Sequence, residues 1–481
     1  MNSFAAIITK ISSTYPDIPP YNPDNNYPEY PFKNLSHNKN PVYENIRNLF
    51  FKLNFDIENY ERSTWNPLGQ FIKPGNFVLL KPNWVNHINP NEDQIDALVS
   101  HSSIIRALLD YVLIALKGKG RIIIGDAPIQ SCDFGELIKK ACISDIIKFL
   151  QPLSPVRIEI KDFRKEIMIP GGRSFIRMEN DGSKFVEVNL KESSFLNGIK
   201  NDYKKFRVTS YNKDKMLSNH NERDHIYRIA YEVLNSDVVI EIPKLKTHRK
   251  VGVTCCLKNN VGINATKDSL VHHRKNSILE GGDAYPHKNI YLDIRELLYE
   301  RYYGTDNRTF QLFYKGLLKI IKQLNFNKSG INFSEGDWYG NDTVWRMILD
   351  LNKIVFYADT SGIIKDTPQR IVLYLVDGVI GGEGEGPLKP DSVHSGIMAF
   401  GNDPVLVDSC MASLMGFDMN KIPLLTRALE NKFCGYGFNE LLNKAILMNG
   451  SLVKLCKIQT IYQFTPPLGW KNHIEKLKPL C

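Results

Sequence analysis

The chain reads as an α/β protein: a mainly parallel central sheet with helices on both faces, a β-rich excursion and a helical insertion. Three observations predict this. Apolar runs of strand length at 77–80, 122–124 and 238–242 each end in a break followed by polar residues. A run with helical periodicity, 104–116, separates the first two. Strand, helix and strand in that order make a parallel crossover, and such sheets gather their ligands at the carboxyl ends of the strands.

Residues 1–42 are read as an extended arm. Its Pro-, Tyr- and Asn-rich part, from 13 on, orders only if the tyrosines find a groove on the body. Residues 43–162 form a first α/β half. Ile46, Leu49 and Phe50 mark a short helix. The strand at 77–80 runs into Lys81, Pro82 and Asn83, and a serine of the pair 102–103 caps the helix that follows. The next strand leads into Gly125 and Asp126, and then come a helix at 134–150 and a strand at 156–161. Residues 163–230 alternate in short stretches separated by glycines, the mark of a β-rich excursion. Residues 231–287 hold a core strand and, after Pro243, a cationic turn. Residues 288–350 are a helical insertion in which Leu312, Phe313, Leu317, Ile320, Ile321 and Leu324 share one face and Lys315, Lys319 and Lys322 the other. Residues 351–481 are a second α/β half and a C-terminal tail. There a strand at 371–376 ends in Asp377 and leads to a glycine-acid loop at 381–387.

With 43% hydrophobic and 23% charged residues over 481 positions, the composition is that of an ordinary globular protein. A net charge of +9 suits an anionic small molecule or a membrane surface and is too weak to imply nucleic acid. No run reaches the ~18 apolar residues of a membrane span, and the N-terminus shows no signal-peptide pattern. Eight cysteines without a CxxC pair exclude a closely spaced zinc or iron–sulfur motif; reduced thiols and a cytoplasmic location are expected.

The chemistry concentrates after Pro243. Residues 241–275 hold eight Lys or Arg and two acids. Lys244, Lys246, Thr247, Lys258, Asn259 and Asn260, with Lys81 and Asn83 from the first half, form the expected anion-binding set. The bland alternative is a solvated basic loop. Asp126, Asp377, Glu383 and Glu385 are the candidates to hold a divalent metal such as Mg²⁺ or to shuttle protons, and Asp126, Asp377 and Lys246 count with His248 as the candidate catalytic residues. A plain glycine connector at 381–387 and helix capping by Asp403 are the competing readings. His248, surrounded by lysines, is expected to stay neutral and act as general base. His272 and His273 are weaker metal candidates. Cys255 and Cys256 lie in an apolar run and read as core, with a nucleophilic role left open.

These residues resemble a known family. Lys81-Pro82-Asn83, Gly125-Asp126, the run from Pro243 to His248, Leu257-Lys258-Asn259, Asp377-Gly378, the run from Glu383 to Pro387 and the segment from Asp403 to Asp408 are similar to proteins grouped as domain of unknown function 362. The resemblance spans roughly residues 75–420. It is to a longer subgroup that also carries the run from His272 to Lys275 and Gly281-Gly282-Asp283. It implies the α/β fold and marks these positions as one set, without implying a reaction. Some relatives carry ferredoxin-like cysteine clusters; this chain lacks their spacing. The expectation is an enzyme acting on a phosphate- or carboxylate-bearing small molecule. The alternatives are a non-catalytic binding or membrane-surface assembly protein and a thiol-based redox protein.

Overall fold

The computed structural model describes residues 3–171, 174–180, 182–208, 212–329 and 334–476, so residues 172–173, 181 and 209–211 of the expected excursion lie outside it. Twelve strands join in one sheet: β1 (Ala5–Ile8), β2 (Phe77–Pro82), β3 (Arg121–Asp126), β4 (Arg157–Asp162), β5 (Val238–Ile242), β6 (Lys244–His248), β7 (Gly252–Thr254), β8 (Ile371–Glu385), β9 (Lys389–Val393), β10 (Ile397–Gly401), β11 (Ala445–Met448) and β12 (Ser451–Lys454). The spine runs β12-β11-β1-β10-β8-β5-β2-β3-β4. Strands β8, β5, β2, β3 and β4 are parallel neighbours. β10 runs antiparallel to both β8 and β1.

Side chains alternate across the sheet and feed two cores. Val78, Leu80, Val238, Ile240 and Leu373 face the helices Pro41–Lys52 and Ser102–Leu116. Leu79, Val239 and Tyr374 face Val344–Tyr357, Pro404–Leu414 and Pro423–Glu430. Fully buried strands read as continuous apolar runs, which is why β2, β3 and β5 stand out in the sequence.

Several elements differ from the sequence reading. The 1–42 arm contributes β1, whose four residues pair with β10 on one side while Ala6 and Ile7 pair with β11 on the other. The helix Val344–Tyr357 belongs to the main core rather than to an insertion, which comprises Ile290–Tyr303 and Arg308–Ser329. The C-terminal tail supplies β11 and β12. His101, not a serine, caps Ser102–Leu116 through its ring Nδ1.

Two corrections bear on the site. The cationic turn is a strand: β6 continues past Pro243, pairing with β8 and folding back on β7. The glycine-acid loop is the far half of β8, paired residue by residue with β9. Gly382 permits this, because a Cβ there would meet Ala97 O at 2.8 Å and Lys246 Cβ at 2.9 Å.

The arm also closes a buried ion pair. Lys244 Nζ lies 3.0 Å from Asp377 Oδ2 and donates to the Tyr15 hydroxyl at 2.7 Å. Tyr15 OH donates to Asp377 Oδ1 at 2.6 Å, and its ring stacks on His101 with centroids 3.8 Å apart. Removing one member of a buried pair strands the other charge. Asp377→Ala should therefore cost about 3–5 kcal/mol in urea unfolding, whereas Lys244→Met combined with Asp377→Leu should recover much of that loss.

Candidate functional site

The site grows from the carboxyl ends of β2 and β3. Lys81, buried at the end of β2, pairs with Asp126 at the end of β3 at 3.0 Å. Asp126 accepts from Trp84 N through Oδ2 at 2.6 Å and from Ala127 N through Oδ1 at 2.9 Å. Gly262 passes so close that a Cβ would overlap Asp126 Oδ1 and Lys81 Nζ. Asn259 ties the strand ends together: Nδ2 donates to Lys81 O at 3.2 Å and to Glu241, and Oδ1 accepts from Asn83 Nδ2 at 3.0 Å. Burial pushes the Glu241 carboxyl up to about 7.

Beyond this bracket lies a cavity of about 640 Å³. Lys246 and His248, two apart on β6, share the face that lines it. Lys258 and Asn259 reach it from the helix Cys256–Asn259. Asp408 fixes that helix by accepting from Cys256 N at 2.7 Å and Leu257 N at 3.0 Å. Lys267 and His272 come from the following loop. Arg249 and Lys250 come from the turn after β6 and pair with Asp337 at 3.3 and 2.9 Å. Trp84, Ile129, Met168, Leu270, Tyr303 and Leu388 supply apolar lining.

The lysines are satisfied unequally. Lys81 has Asp126, and Lys246 has only a carbonyl, Leu98 O at 2.5 Å. The side chains of Lys258 and Lys267 have no ion pair or hydrogen bond among the described residues. Burial drives Lys258 down to about 7, with repulsion from Lys267 and Lys81 adding to it. Lys267 falls to about 8, again chiefly through burial and then against the pull of Asp126. Lys246 lies well below its ordinary value because it is buried beside Lys244 and Lys258.

The two cavity histidines present opposite faces. His248 Nδ1 accepts from Lys250 N at 3.0 Å, so in the neutral ring the proton sits on Nε2. His272 Nδ1 donates to Leu270 O at 2.7 Å, which leaves Nε2 with a lone pair. Burial, then neighbouring charge, holds both well below the usual histidine value. His248 is thus a donor in the cavity rather than the expected base, and His272 is the acceptor.

Of the expected set, Asn83, Asp126, Lys246, His248, Lys258 and Asn259 meet at the cavity, with Lys81 directly behind Asp126. The others do not line it. Lys244 and Asp377 form the separate buried pair with Tyr15. Thr247, on the opposite face of β6, donates to Gly384 O at 2.8 Å. Asn260 Nδ2 donates to Asn352 Oδ1 at 2.9 Å. Glu383 and Glu385 accept from Thr465 N and Leu468 N, each at 2.7 Å. The expected metal set therefore does not converge. Asp126 already receives Lys81 and two backbone amides, so the residues present do not fit a divalent cation at the cavity. His273 pairs with Glu296 at 3.2 Å, and Asp403 caps Pro404–Leu414.

Cys255, Cys256 and Asp408 are the one group of three potential ligands that converges among the described residues. Both Asp408 oxygens already serve backbone amides. The thiols are fully buried and outside the cavity, with Cys255 pushed up to about 11, chiefly by burial. That environment opposes a thiolate nucleophile.

Sequence reasoning did not single out Lys267, Asp337 or the apolar lining. Lys267 stood within the basic run, and the others carried no local signal. Residues 179–413 match the family model described as "Domain of unknown function (DUF362)". No curated protein matches. A crystal structure of a Thermotoga maritima protein aligns at 13% identity and a TM-score of 0.32, over 74% of this chain. This chain spans 54% of that protein. Among the described residues no helix is long and apolar enough to cross a membrane.

The unpaired lysines set a pH dependence. Lys258 titrates near 7 when folded and near its ordinary 10.5 when unfolded. Between those values the unfolded chain holds more protons, so raising the pH favours the folded state. Differential scanning fluorimetry of the ligand-free protein should show Tm rising from about pH 7 toward pH 10. Lys258→Met should raise Tm at neutral pH and flatten that rise.

Proposed function

The chain belongs to the domain of unknown function 362 family, whose name assigns no reaction, and from its cleft we propose an enzyme that acts on a small organic anion bearing a phosphate or paired carboxylates. The observation that carries this reading is the pair Lys258 and Lys267, whose side chains face a cavity with no partner among the described residues. Five basic and three acidic side chains line that cavity, a net +2 when all are ionised. A bound dianion would neutralise this excess and return the two lysines to their charged forms.

Each remaining group has a role in this reading. Asn83 Oδ1, buried and without a partner among the described residues, offers an acceptor to a substrate hydroxyl or amine. His248 Nε2–H donates to an oxygen on which negative charge develops. His272 Nε2 is the general base, and the bound anion would raise its proton affinity. Lys246 and Asp126 hold the frame. The apolar lining takes the carbon part of the substrate and keeps water from the anion. The anion is assigned to lysines alone, without a metal. Adjacent Cys255 and Cys256 are free thiols within hydrogen-bonding distance, sulfurs 3.8 Å apart, which fits a reducing compartment such as the cytoplasm.

Titration calorimetry with inorganic phosphate and with malonate tests the reading. Binding should tighten as the pH falls through about 8 and about 7, where Lys267 and Lys258 gain their protons. It should weaken at least ~10-fold in Lys258→Met/Lys267→Met, since hydrogen bonds to charged groups contribute about 1.5–3 kcal/mol each. Equal affinity in both proteins would place the anion elsewhere.

A further inference from the structure

Large apolar side chains are exposed very unevenly over this protein. Among the described residues, ten of the twenty-two exposed ones fall between 278 and 324. Most lie on a hairpin of two helices, Ile290–Tyr303 and Arg308–Ser329. On the second helix Phe310, Phe313, Ile320 and Leu324 are 55, 59, 57 and 42% exposed. With half-buried Leu317 between them, they follow the three-and-four spacing of one continuous stripe. On the first helix Ile290, Ile294 and Leu297 repeat the pattern, 64, 38 and 46% exposed. Contiguous apolar surface of this kind marks a contact face.

Charge identifies the partner. Arg308–Ser329 contains five Lys or Arg and no acid. Arg308, Lys315, Lys319 and Lys322 are exposed and project from the side away from the stripe. The hairpin's other acids are engaged. Glu296 pairs with His273, Glu300 with Arg207 and Lys275, and Asp293 accepts from Tyr285. Only Asp306, in the turn, remains exposed. The outer surface is thus apolar and basic.

We infer that this helical hairpin docks the protein on an anionic lipid surface. The stripe enters the acyl boundary while the lysines and Arg308 lie among the headgroups. Tyr303, the last residue of the first helix, lines the cavity, so docking sets the cavity beside the membrane.

Vesicle flotation of the full chain tests the inference, with vesicles of phosphatidylcholine alone and of phosphatidylcholine with phosphatidylserine. The protein should float with the anionic vesicles at low salt, release at high salt, and stay behind with phosphatidylcholine. Phe313→Glu/Ile320→Glu alters only exposed positions and should abolish flotation. Lys319→Glu/Lys322→Glu, with the stripe intact, should do the same. Phosphate binding at the cleft should be unchanged in both variants, which shows that they remain folded. Failure to float with anionic vesicles overturns the inference, as does undiminished flotation of the variants. So would sedimentation velocity showing a lipid-independent dimer that Phe313→Glu/Ile320→Glu dissociates, since the stripe would then be a seam between copies.

Discussion

Buried positive charge is the constraint on which this structure depends. Lys81, Lys244 and Lys246 are all buried where the chain leaves the carboxyl ends of β2 and β5. A buried ammonium is costly unless it is paired. The protein answers in graded fashion. Lys244 receives Asp377 and Tyr15, Lys81 receives Asp126, and Lys246 receives one carbonyl. Lys258 and Lys267 receive nothing from the described residues. The deficit grows toward the cavity, so the place where the protein is least satisfied by itself is where a ligand contributes most.

Much of the surrounding structure serves to hold that deficit in place. Asp408 reaches from the helix Pro404–Leu414 to cap Cys256–Asn259, which carries Lys258. Asn259 couples that helix to Lys81 and Glu241. Gly262 lets the following loop lie against the Lys81–Asp126 pair. The arm is part of the same frame, because Tyr15 bonds both members of the Lys244–Asp377 pair. Stability is thus invested in fixing lysines that would favour neutrality; under the proposed function this trades folding free energy for a preformed anion site.

The sequence made the sheet legible where burial was complete. Runs such as 77–80 and 238–242 have no amphipathic ambiguity, and the breaks after them located Lys81, Asn83 and Asp126. Strand β1 was hidden because four apolar residues before a Pro-rich stretch carry no period. The far half of β8 was hidden because Gly381 to Gly386 has weak strand propensity; pairing with β6 and β9 overrides it. The proposed metal quartet failed for a different reason. Nearness to strand ends does not say which way a side chain points, and Glu383 and Glu385 turn to the backbone of 465 and 468. Likewise the roles of His248 and His272 rest on single hydrogen bonds to backbone groups, which no residue pattern encodes.

The central claim is that Lys258 is held electrically unsatisfied until an anion arrives. Its side chain can be followed by NMR of protein carrying ¹³Cε-labelled lysine, with Lys258→Met identifying the signal. The account predicts that Lys258 in the ligand-free protein titrates near 7 and moves toward the ordinary 10.5 when inorganic phosphate is added. A Lys258 signal that titrates near 10.5 with and without phosphate would contradict it.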